Sequence, residues 1–342
     1  ILILVSLSYY GLNLKRLINN ENILKIEVED VFYGIIFFYI ISIIFNFFVP
    51  IYYEISLFII FFGLVMFLCE IKKIKININF FISLLIIFTL VALYIYKPLL
   101  YDSKLYHFQG IEWIKNNKIV FGLTNINYRL GQAPLNWNVS SLLSVFPSEK
   151  NFDLFNIIIF FVFFYIIYKS FDKKQKKISD YFIIIFFLLI SFQQLKYYDL
   201  WSIFNSISSP DTDISSGIFL TLGIYFFLKN LENEINTNLS LLTSLLLFIA
   251  IAIKVTSYVA ILIHLLFFYF LFKKNKKIFL KVFSINSILY FIFIIKNFIN
   301  SGCFIFPLEF TCVEPFWGIQ IDSSNNNYSL KNFVNTVINF SE

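Results

Sequence analysis

The side chains that could do chemistry in this sequence are a few carboxylates and cations set among long apolar stretches. Asp102 directly follows such a stretch and could take a proton from an acceptor hydroxyl as a general base. Asp211 and Asp213 are spaced as Asp-X-Asp, and their oxygens could bind a divalent cation, Mg²⁺ or Mn²⁺, that holds a phosphate. Lys254 and Arg129 could bind the phosphate directly. These residue types suit the transfer of a group from a phosphate-bearing donor.

Each of these residues also has a simpler interpretation, which the sequence leaves open. Asp102, Asp211 and Asp213 stand near predicted helix starts, where a carboxylate caps the helix and is favoured by its dipole. Lys254 could simply extend its ammonium to the lipid headgroups.

The two histidines do not form a metal site together. His107 follows Asp102 by five residues, about 140° around a regular helix, so the pair is not a preformed dyad. We interpret His107 as a hydrogen-bonded residue of an interfacial helix, with contact to substrate or metal as the alternative. His264 lies within an apolar run and is interpreted as structural.

Composition places these residues in a membrane protein. Hydrophobic residues make up 59% of the 342 residues and charged residues only 14%. At about 20 residues per crossing, this suffices for up to about ten transmembrane helices and excludes a soluble globular protein. The net charge of +6 is not gathered into a basic stripe, so it indicates membrane orientation and not nucleic-acid binding.

The apolar runs predict an all-α polytopic fold with about nine to ten transmembrane helices. Residues 1–10 resemble the end of an interrupted span, so we expect a single transmembrane domain, 1–342, that is truncated at both ends. The nine longer runs are residues 31–49, 55–69, 78–96, 152–168, 181–195, 214–228, 239–253, 258–272 and 278–295.

Clusters of lysine predict the orientation, because short basic loops stay in the cytoplasm. The clusters lie at residues 15–25, 72–75, 173–177 and 273–277. Alternation between them works only if residues 135–146 form an interfacial or re-entrant helix and do not cross. The outer segments are then 97–151, 196–213 and 297–342, with a tight turn at Lys254.

Two features of the outer segments carry further predictions. Leu105, Phe108 and Ile111 predict an amphipathic helix along the membrane in the first outer loop. Cys303 and Cys312 share the outer side and could form a disulfide, a point that the sequence leaves open.

Several motifs resemble those of the GT-C-type membrane glycosyltransferases. They are Tyr101-Asp102 with Tyr106-His107 and Trp113-Ile114, then Gly122-Leu123, Pro210-Asp211 and Lys254-Val255-Thr256. The chain more closely resembles a family of bacterial multi-spanning proteins of unknown activity, related to that fold, in Tyr101-Asp102 through Trp113, in Gly122-Leu123 and Arg129-Leu130-Gly131, and in Ser301-Gly302 to Pro307 with Trp317. The resemblance covers roughly residues 78–317. The first loop has Asp102-Ser103 where many members have paired acids.

The resemblance implies a glycosyltransferase of the bacterial cytoplasmic membrane, active on its outer face in cell-envelope glycan synthesis. The donor would be a polyprenyl-phosphate-linked sugar, and the acceptor a glycan, a lipid or a protein. Asp102 would be catalytic, and Asp211 or Asp213 the second acidic position, which could hold the metal. The predicted substrate-binding residues are His107, Arg129, Lys254, Trp113 and Trp317. The alternatives are a polysaccharide polymerase or ligase, a flippase or transporter of lipid-linked glycans, and a scaffold without chemistry.

Overall fold

The computed structural model describes residues 2–19, 25–76, 103–144, 153–197, 209–313 and 317. In these ranges the chain is almost entirely helical, and a two-residue parallel pairing of Lys25–Ile26 (β1) with Lys75–Ile76 (β2) is the exception. The helices are α1 Leu2–Asn19, α2 Asp30–Phe48, α3 Tyr53–Glu70, α4 Phe108–Asn116, α5 Leu135–Leu143, α6 Leu154–Phe171, α7 Ile178–Tyr197, α8 Thr212–Glu232, α9 Thr237–Ile253, α10 Ala260–Lys274 and α11 Lys276–Ser301.

Length and apolarity make this a multi-pass membrane protein. Within the described ranges, six helical segments are long and apolar enough to cross a bilayer: Asp30–Phe48, Tyr53–Glu70, Leu154–Phe171, Thr212–Glu232, Val255–Lys274 and Lys276–Ser301. Ile178–Leu189 and Thr237–Ile253 are shorter apolar segments. Eight of the nine predicted runs thus coincide with helices, and the run at residues 78–96 lies outside the described residues.

Helices α6, α8, α9 and α11 begin where a short polar side chain binds one of their first free N–H groups. Asn236 accepts from the N–H of Leu239 at the start of α9, and Asn275 accepts from the N–H of Ile278 at the start of α11. At its other end α11 stops at Gly302, whose φ of 78° is the left-handed conformation that glycine adopts without strain. The boundaries of these spans are therefore fixed locally by the sequence.

The first helix is longer than the sequence predicted. Residues 1–10 were expected to be the end of a span, but α1 continues to Asn19. The two cations in its last turns are satisfied inside the bundle: Lys15 donates to Asp30 at 2.9 Å, and Arg16 donates to Glu70 at 2.8 Å. Because these charges have partners, they do not end the helix.

The bundle has two chemically different ends. We call the one that carries the lysines of residues 173–177 and 273–277 the basic end, and there Ser179 donates to Glu232 at 2.6 Å and Lys177 donates to Asn233 at 2.5 Å. We call the opposite one, where α4 and α5 lie, the site end.

The short helix α5 is inserted among the longer ones at the site end. All nine of its residues are buried, and it packs against α2, α4 and α6. Nine residues extend only about 14 Å, so α5 cannot cross a bilayer of about 30 Å. Of the two forms predicted for residues 135–146, burial on every side favours a re-entrant helix over an interfacial one.

Candidate functional site

Lys254 lies at the turn between α9 and the next span, as predicted. Its backbone is extended, and it precedes the 3₁₀ turn Val255–Val259. Its ammonium forms an ion pair with the carboxylate of Asp213 in the first turn of α8. Residues 209–213 and the turn at Lys254 are therefore in direct contact.

The predicted Asp-X-Asp metal pair has other roles in this structure. The Asp211 carboxylate caps α8 by accepting from the N–H of Asp213 at 3.0 Å, which is the simpler of the two interpretations. The Asp213 carboxylate is engaged by the Lys254 ammonium, whose positive charge would repel a metal ion. The described residues hold no group of three His, Cys, Asp or Glu side chains that fits a metal. A divalent cation at this pair stays a prediction.

His107 is buried and hydrogen-bonded, as we interpreted it from the sequence. It ends the π-helical turn Ser103–His107, and its Nδ1 accepts from the Trp137 indole N–H at 3.1 Å. Burial, and then the positive charges of Lys254 and Arg129, lower the pKa of His107 to about 3. The ring is therefore neutral at physiological pH. Because an indole only donates, the proton of the His107 ring is on Nε2.

Two other predicted residues lie near His107. Lys254 and Arg129 are close enough to act on its ring, although they lie 147 and 22 residues away in sequence. The Arg129 guanidinium is 5.0 Å from the centre of the Tyr106 ring. We call His107, Arg129, Lys254 and Asp213 the charged cluster.

A second feature of the site end is a cleft between α4 and α11. It encloses a cavity of about 30 Å³, and the Trp113 and Trp137 rings are among its walls. Trp137 approaches α4 at Gly110, where an added Cβ would lie 2.4 Å from the indole ring. Lys296 of α11 reaches the cleft and donates to the carbonyl of Ala133 at 2.8 Å and to the side-chain oxygen of Asn138. The cleft has room for one or two waters and not for a sugar ring.

Trp317 and two cysteines follow α11. The Trp317 ring packs edge-on against Phe121, with the ring centres 5.2 Å apart. The carbonyl of Trp317 accepts from the Asn125 amide at 2.9 Å, so its observed contacts are structural, and substrate binding by Trp317 stays a prediction. Cys303 and Cys312 are joined in a disulfide, which answers the question that the sequence left open.

Two buried ionisable residues of the site end were missed from the sequence. Lys296 lies between the predicted run 278–295 and the predicted outer segment 297–342, and Asp153 lies within the predicted run 152–168. A charged residue at the edge of an apolar run is the signal that could have pointed to both. Asp102, the predicted catalytic base, lies outside the described residues, directly before Ser103.

The Asp153 carboxylate is buried at the start of α6 and predicts a pH-dependent stability. It accepts from the Ser140 hydroxyl at 2.7 Å and from the N–H of Phe155 at 3.1 Å, yet burial raises its pKa to about 7. A raised pKa means that the folded state binds the proton more tightly than the unfolded chain does. The stability that this proton contributes is fully present below about pH 4 and is lost as the pH rises to about 7.

We expect the free energy of unfolding to fall by about 1.4 kcal/mol per pH unit, or about 2 kcal/mol from about pH 5.5 to about pH 7. Asp153→Asn keeps the helix cap and removes the charge. The unfolding midpoint of this variant should therefore stay constant over that pH range and should be higher than that of the wild type at neutral pH. Thermal unfolding of both proteins in detergent measures this. A parallel pH dependence in the two proteins would rule out Asp153 as its source.

The fold and the site define a class: a polytopic, all-helical membrane protein with a charged cluster and a tryptophan-lined cleft at one end of its bundle. Within that class, the chain belongs to the family Domain of unknown function (DUF8201), whose profile matches residues 1–338. No curated protein and no solved structure matches the chain.

Proposed function

We propose that this protein is a GT-C-like membrane glycosyltransferase of the bacterial cytoplasmic membrane. It transfers a sugar from a polyprenyl-phosphate donor to a glycan, lipid or protein acceptor at the outer face, in cell-envelope glycan synthesis. The observation that supports this most is the charged cluster. Lys254 is ion-paired with Asp213, and the charges of Lys254 and Arg129 act on the neutral ring of His107, so four separate segments place these groups near one another at the end of the bundle opposite the basic loops.

The charged cluster suits a departing phosphate. As the bond between the sugar C1 and the phosphate oxygen breaks, that oxygen keeps the electron pair and gains negative charge. Lys254 and Arg129 stabilise the charge, and the Nε2–H of neutral His107 can donate a hydrogen bond to the same group. Asp213 holds the Lys254 ammonium in place through their ion pair.

Asp102 completes the proposed reaction as the general base. It takes the proton of the acceptor hydroxyl while the acceptor oxygen forms its bond to C1. Because this bond forms on the face opposite the leaving phosphate, the configuration at C1 is inverted. Asp102 directly precedes the turn that carries His107. The base therefore begins the same segment that supplies a member of the charged cluster.

Transport of a lipid-linked glycan is the second candidate, and Lys296 favours it. Transporters place charges and short or broken helices inside the membrane domain along the substrate path. Here a buried lysine contacts the re-entrant helix α5 through Asn138. We prefer glycosyl transfer because the charged cluster contains two cations, Lys254 and Arg129, that could bind the donor phosphate.

The test is sugar transfer by the full chain in proteoliposomes supplied with a panel of radiolabelled polyprenyl-phosphate sugars. We expect Asp102→Asn to lose about 100-fold or more in rate, since general bases contribute about 10²–10⁴-fold. Asp172→Asn is the matched control, because Asp172 is exposed at the basic end, and it should retain wild-type activity. Full activity in Asp102→Asn would show that Asp102 is not the general base. Movement of the donor across the bilayer without transfer from any donor would favour transport.

A further inference from the structure

Lys296 is a buried cation for which the described residues supply no anion. Its side chain is 4% exposed, and its two hydrogen-bond acceptors, the Ala133 carbonyl and the Asn138 amide oxygen, are both uncharged. None of the ion pairs among the described residues includes it. Burying an ammonium without a counter-charge is unfavourable, so this position is suited to an anion that arrives from outside.

The cleft provides a route for such an anion. Lys296 lies at its buried floor, and the exposed Lys118 is on its wall nearer to solvent. The half-buried Trp113 and the buried Trp137 also line it. Two cations along one narrow cleft attract a negative group, and an indole face can pack against an attached sugar or prenyl carbon.

Lys296 has donor capacity left for a ligand. An ammonium has three N–H donors, and two of them are used by Ala133 and Asn138. Lys254 of the charged cluster, by contrast, has a carboxylate partner in Asp213. Ala133 itself has a φ of 39°, a left-handed conformation that is costly for alanine, and the bond from Lys296 helps to hold it there.

We propose that the cleft between α4 and α11 is an anion subsite in which Lys296 binds a phosphate group. The cavity of about 30 Å³ accommodates one or two waters, which an oxygen of the phosphate group would replace. The inference deepens the proposed function, on which the identity of the ligand as a lipid-linked phosphate rests. The same chemistry would also accept free phosphate.

The test measures the unfolding temperature of the full-length protein in detergent with sodium phosphate, with farnesyl phosphate, and with sodium chloride at equal ionic strength. We expect at least one phosphate ligand to raise the midpoint by about 3 °C or more near saturation, and chloride to have no such effect. A response to farnesyl phosphate alone identifies a lipid-linked source. An equal response to sodium phosphate identifies free phosphate, and either result supports the subsite.

Two variants decide whether Lys296 is responsible. Lys296→Gln removes the cation, and Asn138→Asp gives Lys296 an internal carboxylate partner without removing it, so both should abolish the shift. Lys277→Gln, an exposed lysine at the other end of α11, should keep it. The subsite is overturned if phosphate does not raise the unfolding midpoint of the wild type. It is also overturned if phosphate raises the midpoint of either cleft variant as much as that of the wild type. A phosphate response that depends on Lys296, without sugar transfer by the wild type, would keep the subsite and reject the glycosyltransferase.

Discussion

Replacing Gly34 by alanine is expected to destabilise the protein by about 3 kcal/mol, the upper part of the range for overpacking a well-packed contact. A Cβ on Gly34 would lie 2.2 Å from the carbonyl oxygen of Leu7, and a Cβ on Gly11 would lie 1.8 Å from that of Asp30. Both contacts are with backbone, so no change of rotamer relieves them. Helices α1 and α2 approach this closely because small residues face each other in the membrane. The unfolding midpoint in detergent measures the loss.

Gly217→Ala is the matched control for this prediction. Gly217 is also within a spanning helix, α8, but a Cβ there would meet nothing within 4 Å. Alanine is the better helix former by up to about 1 kcal/mol, so the control should be as stable as the wild type or slightly more stable. If Gly34→Ala unfolds at the same midpoint as Gly217→Ala, close packing of α1 on α2 does not hold the bundle together.

The spans could be predicted from the sequence because their signals are local. A run of Ile, Leu and Phe bounded by a capping residue such as Asn236 or Asn275 determines a helix without any distant partner. The extension of α1 could not be predicted in this way. Lys15 and Arg16 read as the start of a basic loop, and only contacts with Asp30 and Glu70, 15 and 54 residues further along, keep them inside the helix.

The site was predictable in its parts and not in its arrangement. The sequence points to His107, Arg129 and Lys254 by their chemistry, and in the structure the charges of Lys254 and Arg129 act on the His107 ring. The partner of His107 is Trp137, 30 residues away, and no periodicity relates the two. Lys296 was missed because its burial depends on α5 folding back against α11, which is a tertiary contact.

Replacing Lys15 by methionine is expected to cost about 3–5 kcal/mol, because it leaves a buried carboxylate without its cation. The Lys15 ammonium is 2.9 Å from Asp30, which is completely buried. The other carboxylate oxygen of Asp30 accepts from the N–H of Glu27 at 2.8 Å, so the residue is held in place and cannot turn to solvent. Thermal unfolding in detergent measures the cost.

The double variant Lys15→Met with Asp30→Asn separates the loss of a partner from the loss of packing. Asparagine can still accept from the N–H of Glu27, and no unpaired charge remains, so most of the stability should return. Lys169→Met is the control for a solvated pair, because Lys169 is half-exposed and 3.6 Å from Glu29 at the same end of the bundle. Such a pair contributes about 1 kcal/mol or less. If the double variant is as unstable as Lys15→Met alone, the cost comes from the packing of the lysine stem against α2 and not from an unpaired carboxylate.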